Sequence, residues 1–381
     1  MSAWVLAFVP EALYIEHQER YQEVVSAGLT KIVRVPSESK LNRRVLLFFL
    51  NEAFFTKGVL VHVLRTDPSP VIRLKQWPIV GKKIRYVLEY EGDMPSECVY
   101  QSAYVESPRP PVEPPLELRP VYDNLLHSQQ NHVRQADGVV LMSQEHVELW
   151  ESRLKNQLKA CLLPTLADPK RIYFDEHKRS EIRTQLGLSD RIVLVYAGNV
   201  ICKWQRLDAM CRFIARLAEQ IPNVWFLALV RLDDLQLAKA AISRHGLEQR
   251  STIKHVTADV VADYLSSADL AIFLRHIHPM NLVVTSGKLG EYLAAGLPVI
   301  TTGANAAIIN KFIRESQAGL FIDDSLPINE SIIAELDALL DRSQKPGWRV
   351  ELSLKTAECF GGENDPFRTY APFIRKIAEQ G

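Results

Sequence analysis

Residues 191–198 read Arg-Ile-Val-Leu-Val-Tyr-Ala-Gly, an almost wholly apolar run that ends at a glycine. A pattern with apolar residues on one helical face follows at 208–220, and a second apolar run fills 224–230. Strands without regular polar alternation are typical of a parallel sheet covered on both faces, and parallel strands need a crossover between them. The stretch therefore predicts a strand–helix–strand unit with a loop at Gly198.

The same alternation of short apolar runs and amphipathic stretches extends over nearly the whole chain. Right-handed crossovers between such strands predict an α/β, doubly wound fold. A proline-bearing break at 163–169 separates two series, which predicts two Rossmann-like domains at 1–165 and 166–365. The predicted strands are Trp4–Val9, Lys31–Val35, Val59–Leu64, Ile84–Tyr90, Gly138–Met142, Arg191–Ala197, Val224–Val230, Thr252–Val256, Asp269–Leu274, Pro298–Thr301 and Gly319–Ile322.

Composition excludes several classes of protein. The 381 residues carry 45 Lys+Arg and 45 Asp+Glu, so no net field would hold nucleic acid, and we predict no nucleic-acid partner. With 47% hydrophobic and 24% charged residues, the composition is that of a globular protein and not of a disordered one. The five cysteines are dispersed without a C-x-x-C pair, which suits a reducing compartment and gives no zinc framework.

The N-terminal half bears on location. The apolar run at 4–9 lacks a basic leader and stops at Pro10, so it predicts a buried strand and not a signal peptide. The sequence has no apolar run of the roughly 18 residues that a membrane span needs. We expect a cytoplasmic protein. Lys40, Arg43 and Arg44 beside the apolar 45–49 stretch suggest peripheral contact with the inner face of a membrane, or simply a solvated helix.

Several familiar motifs are missing. The sequence holds no G-x-G-x-x-G after the first strand and no G-x-x-x-x-G-K-[ST], so the usual dinucleotide and P-loop sites are excluded. It also holds no G-x-S-x-G nucleophile elbow and no Asp-x-Asp. We therefore predict no metal and no other cofactor.

The segment Thr285-Ser286-Gly287-Lys288-Leu289-Gly290-Glu291 opens a predicted helix of about two turns. Free N–H groups at a helix N-terminus, here at Ser286 and Gly287, form an anion site together with a lysine in the first turn. Lys288 and Glu291 are three residues apart and share one helix face, where they could grip a phosphate and a sugar hydroxyl of one ligand. A surface salt bridge between them is the alternative.

The loop after the strand at 191–197 offers a second set of ligands. Gly198 lets the backbone approach a bound molecule closely, and Lys203 and Arg206 could neutralise a diphosphate. In open α/β sheets, ligands bind beyond the carboxyl ends of the strands, so this loop and the Lys288–Glu291 segment are expected at one edge. A solvated basic turn is the alternative.

The string Lys-x-x-Glu-Tyr-Leu-Ala-Ala-Gly-Leu-Pro-Val-Ile at 288–300 resembles the donor-site signature of retaining glycosyltransferases of the GT-B fold. Among them it is most similar to family 4, the group 1 transferases. The resemblance covers 192–322 well and the first half only in its strand–helix order. It implies two Rossmann-like domains that face a central cleft, with the C-terminal helix at 366–381 packed back on the first domain.

The resemblance also implies roles for particular residues. Glu291 would bind the ribose of a nucleotide sugar, with a UDP-sugar favoured, and Ser286, Gly287 and Lys288 would contact its diphosphate. Many members carry a second glutamate eight positions upstream of the first, and here that position is Val283. Further donor-binding positions are Gly198, Asn199, Lys203, Arg206, Val256, Arg275 and Asn281.

An acidic turn at 89–97 follows the predicted strand at 84–90. It resembles the family's His-Gly-Asp-like turn, with Glu91 where many members have histidine. Glu91 or Asp93 would then orient the acceptor hydroxyl or take its proton, and a plain acidic turn is the alternative. The prolines at 107–115 predict an extended surface segment, either a mobile cover or a rigid connector.

The resemblance implies a metal-independent, retaining, hexosyltransferase-type glycosyltransferase. It would move a sugar from a nucleotide-diphosphate sugar to a hydroxyl of a glycan or lipid-linked acceptor, and the family suggests surface polysaccharide or glycoconjugate assembly. Lys203 and Lys288 would stabilise the leaving diphosphate. Val283 keeps open a catalytically silent nucleotide-sugar or carbohydrate-binding protein, and a sugar-nucleotide epimerase is a further alternative.

Overall fold

The structure is a computed structural model, and it describes residues 5–10, 30–35, 59–64, 68–78, 80–103, 110–165, 167–360 and 366–379. The segment that was predicted to contact a membrane lies outside the described residues; it comprises Lys40, Arg43 and Arg44 with 45–49. Residues 107–109, the start of the proline-rich segment, also lie outside them. Within the described ranges, no helix is both long enough and apolar enough to cross a bilayer.

Strands and helices alternate along the chain. The strands are β1 Val5–Pro10, β2 Thr30–Val35, β3 Val59–Leu64, β4 Ile84–Tyr90, β5 Gly138–Leu141, β6 Ala160–Leu162, β7 Ile192–Gly198, β8 Val224–Val230, β9 Ser251–Lys254, β10 Leu270–Phe273, β11 Val299–Thr301 and β12 Gly319–Phe321. The helices of the described residues are α1 Ser69–Lys75, α2 Met94–Ala103, α3 Arg119–Gln135, α4 Gln144–Leu154, α5 Glu176–Leu186, α6 Leu207–Gln220, α7 Leu235–Arg244, α8 Val261–Ser267, α9 Pro279–Leu282, α10 Gly287–Ala294, α11 Ala307–Glu315, α12 Glu330–Ser343, α13 Trp348–Phe360 and α14 Pro366–Ala378.

The predicted α/β organisation is confirmed, and each predicted strand is found within two residues of its expected bounds. Strand β6 escaped prediction because it has only three residues, of which Cys161 alone is buried, so no apolar run marks it. Helix α8 begins at Val261, and Asp259 does not cap it, because the N-cap position is held by Val260. A hydrogen bond with Thr257 instead lowers the pKa of Asp259.

The chain divides into two compact units, the first with residues 1–89, 129–140 and 372–381 and the second with 90–128 and 141–371. In the first unit β1 pairs with β2, and β3 with β4, both in parallel, and β5 lies next to β4. Asp137, just before β5, accepts hydrogen bonds from Tyr86 N at 2.9 Å and Lys75 Nζ at 2.7 Å. Gly138 lies against Ile377 of α14, where a Cβ would come within 2.4 Å of Cδ1.

The second unit is built on a six-stranded sheet in the order β12-β11-β10-β7-β8-β9. The chain runs from β7 outward to β9 and then returns to β10 on the other side of β7, so the strand order reverses between β7 and β10. Such a switch point opens a crevice at the carboxyl ends of the strands. Here β10 pairs with β7 only at Leu194 and Val195, and beyond them the two strands part.

Both faces of this sheet are covered, as the uninterrupted apolar strands require. On β7, Val193, Val195 and Ala197 belong to one buried cluster, and Leu194 and Tyr196 belong to the other. Helices α8, α10 and α13 contribute to the first cluster, and α6, α7 and α12 contribute to the second. The sheet is therefore a rigid platform for whatever its carboxyl edge binds.

Arg349 on α13 joins two helices of the first cluster. Its buried guanidinium donates to the carbonyls of Gly296 at 3.0 Å, Ala268 at 2.9 Å and Ser266 at 3.1 Å. These carbonyls lie at the C-terminal ends of α10 and α8, where a cation is favourable. Burial is the main reason why the pKa of Arg349 is lowered. One side chain thus holds the far end of α10.

Replacement of this arginine tests that anchor. Arg349→Leu is expected to lower the free energy of unfolding by about 3 kcal/mol, because several buried carbonyls lose a charged donor at once. Urea unfolding of the whole chain measures the change. Lys355→Ala is the control, since Lys355 is on the same helix and forms an exposed ion pair with Glu351. Equally small losses in both variants would contradict the anchor.

Candidate functional site

Helix α10 presents an open N-terminus. Its N-cap, Ser286, is buried, and its side chain makes no capping hydrogen bond, so the first-turn N–H groups remain for a ligand. Gly287 is the first helical residue, and Lys288 and Glu291 follow at the spacing that puts both on one face. The helix thus places all four of these sequence-predicted residues at one end.

Lys288 extends over the carboxyl end of β7. A Cβ at Gly198, whose φ is +138°, would lie 2.2 Å from Lys288 Cε and 3.0 Å from its Nζ. The ammonium group therefore rests on bare glycine backbone. Tyr292 ties the same helix to the same strand, because its hydroxyl accepts a hydrogen bond from Ala197 N at 2.9 Å. The two loops that the sequence places at one sheet edge do meet.

Two cations meet at this point. Arg275 follows β10, is 8% exposed, and has an Nε without a hydrogen-bond partner among the described residues. Burial, and then repulsion from Arg275, lower the pKa of Lys288 to about 8. Burial also lowers the pKa of Arg275. Within the described ranges no carboxylate reaches ion-pair distance of either cation, so the pocket carries positive charge that an anion would neutralise.

Glu291 lies beside these cations. Its pKa is raised by burial, and Arg171 and Lys288 partly oppose that rise. Arg171 Nη2 approaches Glu291 Oε1 at 3.5 Å from an exposed position. Sequence reasoning missed Arg171, because it lies in the segment after the proline-bearing break and belongs to no motif. The arrangement keeps a half-buried carboxylate ready to accept hydrogen bonds from hydroxyl groups.

The main chain of the loop at 198–206 is held by side chains. Tyr196 donates to Asn199 O at 2.6 Å, and Asp234 accepts from Val200 N at 2.8 Å. Asn199 Oδ1 is buried, and the described residues provide no partner for it, so it remains available to a ligand. Lys203 begins a single 3₁₀ turn in this loop. Its role in binding a diphosphate stays a prediction.

Arg206 does not fit the predicted role. Its guanidinium makes two hydrogen bonds to Asp324, at 3.0 Å and 2.7 Å, and the side chain is 2% exposed. A buried guanidinium that a carboxylate already neutralises is a poor ligand for a diphosphate. The arginine instead anchors the end of the loop. Val256 follows β9 and packs against the core, so only its backbone remains to contact a nucleotide base.

The segment at 275–283 is fixed from within. Asn281 Nδ2 donates to His276 O at 2.9 Å, so this predicted donor ligand uses one amide hydrogen to shape the loop. His278 caps α9 by accepting from Met280 N at 3.3 Å, and burial lowers its pKa. Val283, where the family often has glutamate, is buried and its carbonyl accepts from Ser143 at 2.7 Å.

Asp93 is also committed elsewhere. Arg153 Nη1 and Nη2 donate to its two oxygens at 2.8 Å and 2.7 Å, and Ser96 donates as well. Both carboxylate oxygens already accept these hydrogen bonds, so the geometry argues against proton transfer by Asp93. Burial lowers the pKa of neighbouring His146 to about 4, which Asp93 partly opposes. Glu91 is half-buried in the turn before α2, and its acceptor role stays a prediction.

The described residues contain no group of three His, Cys, Asp or Glu side chains placed to hold a metal ion. All five cysteines are free thiols. Among them, Cys202 lies close enough to Lys288 and Arg275 for their charges to oppose the rise that burial causes in its pKa. The site is therefore a positively charged pocket flanked by the carboxylate of Glu291, and the charge of Glu97 also acts on Arg275.

Residues 191–341 match the sequence profile of the family described as Glycosyl transferases group 1. The resemblance to the group 1 transferases that was drawn from 288–300 is therefore confirmed over these residues of the second unit. No curated protein matches the sequence.

Several solved structures share the fold over nearly the whole chain. A sucrose-phosphate synthase from Thermosynechococcus elongatus aligns with a TM-score of 0.57 and 16% identity, over 99% of this chain and 97% of that one. WaaG, a glycosyltransferase involved in lipopolysaccharide biosynthesis, gives 0.59 and 14%, over 99% and 98%. Anabaena HepE in complex with UDP-glucose gives 0.60 and 14%, over 98% and 91%. The chain thus has the GT-B fold.

The low pKa of Lys288 predicts a pH dependence of anion binding. An anion binds the ammonium form, so the affinity of the wild type for inorganic pyrophosphate, divided by that of Lys288→Met, should be steady below pH 8 and fall above it, as Lys288 loses its proton in the free protein. Calorimetry between pH 6.5 and 9.5 measures the dissociation constant. Lys288→Met should bind roughly ten- to a hundredfold more weakly at low pH. Because pyrophosphate's own titration affects both proteins, a constant ratio between them would contradict the prediction.

The pairing of Arg171 with Glu291 predicts a second titration. Removal of the cation in Arg171→Ala should raise the pKa of Glu291 further, since one of the two charges that favour the carboxylate is lost. Carbon-13 NMR of the Glu291 carboxyl follows the titration. Lys170→Ala removes an adjacent exposed cation and should leave the Glu291 pKa in place. The same pKa in all three proteins would show that solvent screens Arg171.

Proposed function

We propose that the protein is a glycosyltransferase that takes a nucleoside-diphosphate sugar, with a UDP-sugar as first choice, and transfers its sugar to a hydroxyl acceptor. The observation that carries the proposal is the pair of cations, Lys288 and Arg275, at the switch point beside an open helix N-terminus. Such a site matches the charge of a diphosphate. The group 1 domain, and a relative solved with UDP-glucose, favour the same substrate class.

The donor would be bound in two parts. Lys288, Arg275 and the first-turn amides of α10 would hold the diphosphate, and Glu291 would accept hydrogen bonds from the ribose hydroxyls. Gly198 supplies the close approach, because any side chain there would displace the Lys288 ammonium. Lys203 would add charge from the neighbouring loop.

The proposed transfer proceeds with retention and without a metal. The acceptor oxygen forms a bond to the anomeric carbon on the face from which the diphosphate departs, and the bond between that carbon and the β-phosphate oxygen breaks. The acceptor proton passes to the leaving phosphate oxygen. Negative charge grows on the diphosphate as the bond breaks, and Lys288 and Arg275 stabilise it there.

The acceptor side is proposed from the family alone. Glu91 would orient the acceptor hydroxyl, and the acceptor would be a glycan or a lipid-linked sugar in surface polysaccharide or glycoconjugate assembly. A protein that binds the donor without transferring its sugar is the second candidate. Val283 favours it, because a buried valine stands where many members of the family carry a glutamate.

Donor binding and turnover are tested together. UDP-, GDP- and ADP-sugars are titrated by calorimetry, and release of nucleoside diphosphate is then followed with and without a panel of hydroxyl acceptors. Acceptor-dependent release supports the transferase. Tight binding without release supports the silent binder, and conversion of the donor sugar without acceptor supports an epimerase. Absence of binding to every nucleotide sugar would overturn the proposal.

Two substitutions locate the activity. Glu291→Gln should weaken UDP-sugar binding roughly tenfold or more, because hydrogen bonds to a charged group become neutral ones. Lys288→Met should reduce kcat by roughly 10²–10³, the effect of losing one preorganised charge contact in the transition state. Glu315→Gln, on the exposed face of α11, is the control. Wild-type donor affinity in Glu291→Gln would remove Glu291 from the donor site.

A further inference from the structure

The loop at 198–206 is held by hydrogen bonds to consecutive backbone groups. Tyr196 binds Asn199 O, and Asp234 binds Val200 N. Both of these side chains come from the six-stranded sheet or its connections, as expected for a loop of the same Rossmann-like series. The next backbone groups along the loop, Ile201 O and Lys203 N, need partners too.

Those partners come from a distant part of the sequence. Gln101, on α2, accepts from Lys203 N through Oε1 at 2.9 Å and donates to Ile201 O through Nε2 at 3.4 Å. A primary amide offers a donor and an acceptor at its two ends, so it can bracket a main-chain turn. Gln101 and the loop both belong to the second unit.

These two hydrogen bonds, the Gln101 bracket, hold the backbone from which the Lys203 side chain extends. Lys203 begins the 3₁₀ turn, so its N–H direction fixes where the turn starts and where its side chain leaves the backbone. On the preceding position of α2, the Tyr100 hydroxyl bonds His276 Nδ1, which follows Arg275. Helix α2 thus contacts both loops that flank the positive pocket.

We propose that Gln101 is a positioning residue for the donor site: its amide holds the backbone at Ile201 and Lys203 so that Lys203 faces the diphosphate. This proposal rests on the proposed function. Gln101 touches no substrate itself and acts through Lys203. An account in which α2 only packs against the loop would give Gln101 no specific effect on nucleotide affinity.

A double-mutant cycle tests the coupling. Dissociation constants for UDP are measured by calorimetry for the wild type, Gln101→Ala, Lys203→Ala and the double variant. Gln101→Ala should weaken UDP about fivefold, the worth of an ordinary hydrogen bond. Lys203→Ala should weaken it more, and the double variant should match Lys203→Ala. Ser102→Ala, an exposed neighbour on α2, should behave as wild type.

Amide hydrogen exchange supplies an independent readout. Gln101→Ala should speed exchange at Lys203 N–H, whose hydrogen-bond acceptor is removed, whether or not UDP binds. If Lys203→Ala weakens UDP but Gln101→Ala does not, or if the two effects add fully, the inference is overturned and the proposed function stands. If the wild type binds no UDP while exchange at Lys203 still responds to Gln101→Ala, the bracket is real and the proposed function fails. Unchanged exchange at Lys203 also overturns the inference.

Discussion

The hydrogen bond between Tyr292 and the main chain of Ala197 is the constraint on which the site depends. Strand β10 pairs with β7 only as far as Val195, so the backbone of Ala197 would otherwise lack a partner on that side. The Tyr292 hydroxyl accepts from Ala197 N and donates to Ala197 O, and burial raises its pKa, so it stays a neutral donor. Helix α10 is thereby seated over the strand end. The separation of β7 from β10 therefore has two consequences. It opens the crevice at the carboxyl edge of the sheet, and it leaves the backbone of Ala197 free to hold α10 beside that crevice.

Burial of positive charge lowers the stability of a folded protein, and this site buries two cations, Lys288 and Arg275. The pKa of Lys288 falls to about 8 in the folded state, below its value of 10.5 in an unfolded chain. Between these two values the unfolded chain binds more protons, so stability rises with pH there, and below pH 8 the full destabilisation is present. An anion bound in the pocket offsets this destabilisation, because it neutralises the buried positive charge. Stability given up by the free protein is thus recovered as affinity for a ligand of the right charge.

The sequence was sufficient for the sheet and for the residues of α10, because both follow local rules. Apolar runs mark strands buried on two faces, and the segment at 285–291 marks the start of a helix whose N-cap side chain makes no capping hydrogen bond. Partners distant in sequence were out of reach. No pattern in the sequence near Arg206 predicts its ion pair with Asp324. Likewise, no pattern near Asp93 predicts its ion pair with Arg153. The same holds for Arg171 beside Glu291, a contact that spans 120 residues. The sequence shows which residues are charged, but it does not show which of them are already neutralised by an ion pair within the protein.

From a position in a different helix, Arg349 gives the far end of α10 its fixed place, about two helical turns from the N-terminus of α10. A helix of eight residues is short enough to move as one rigid rod. A substitution of this remote arginine would therefore be measured as weaker ligand binding, although no group inside the pocket has changed.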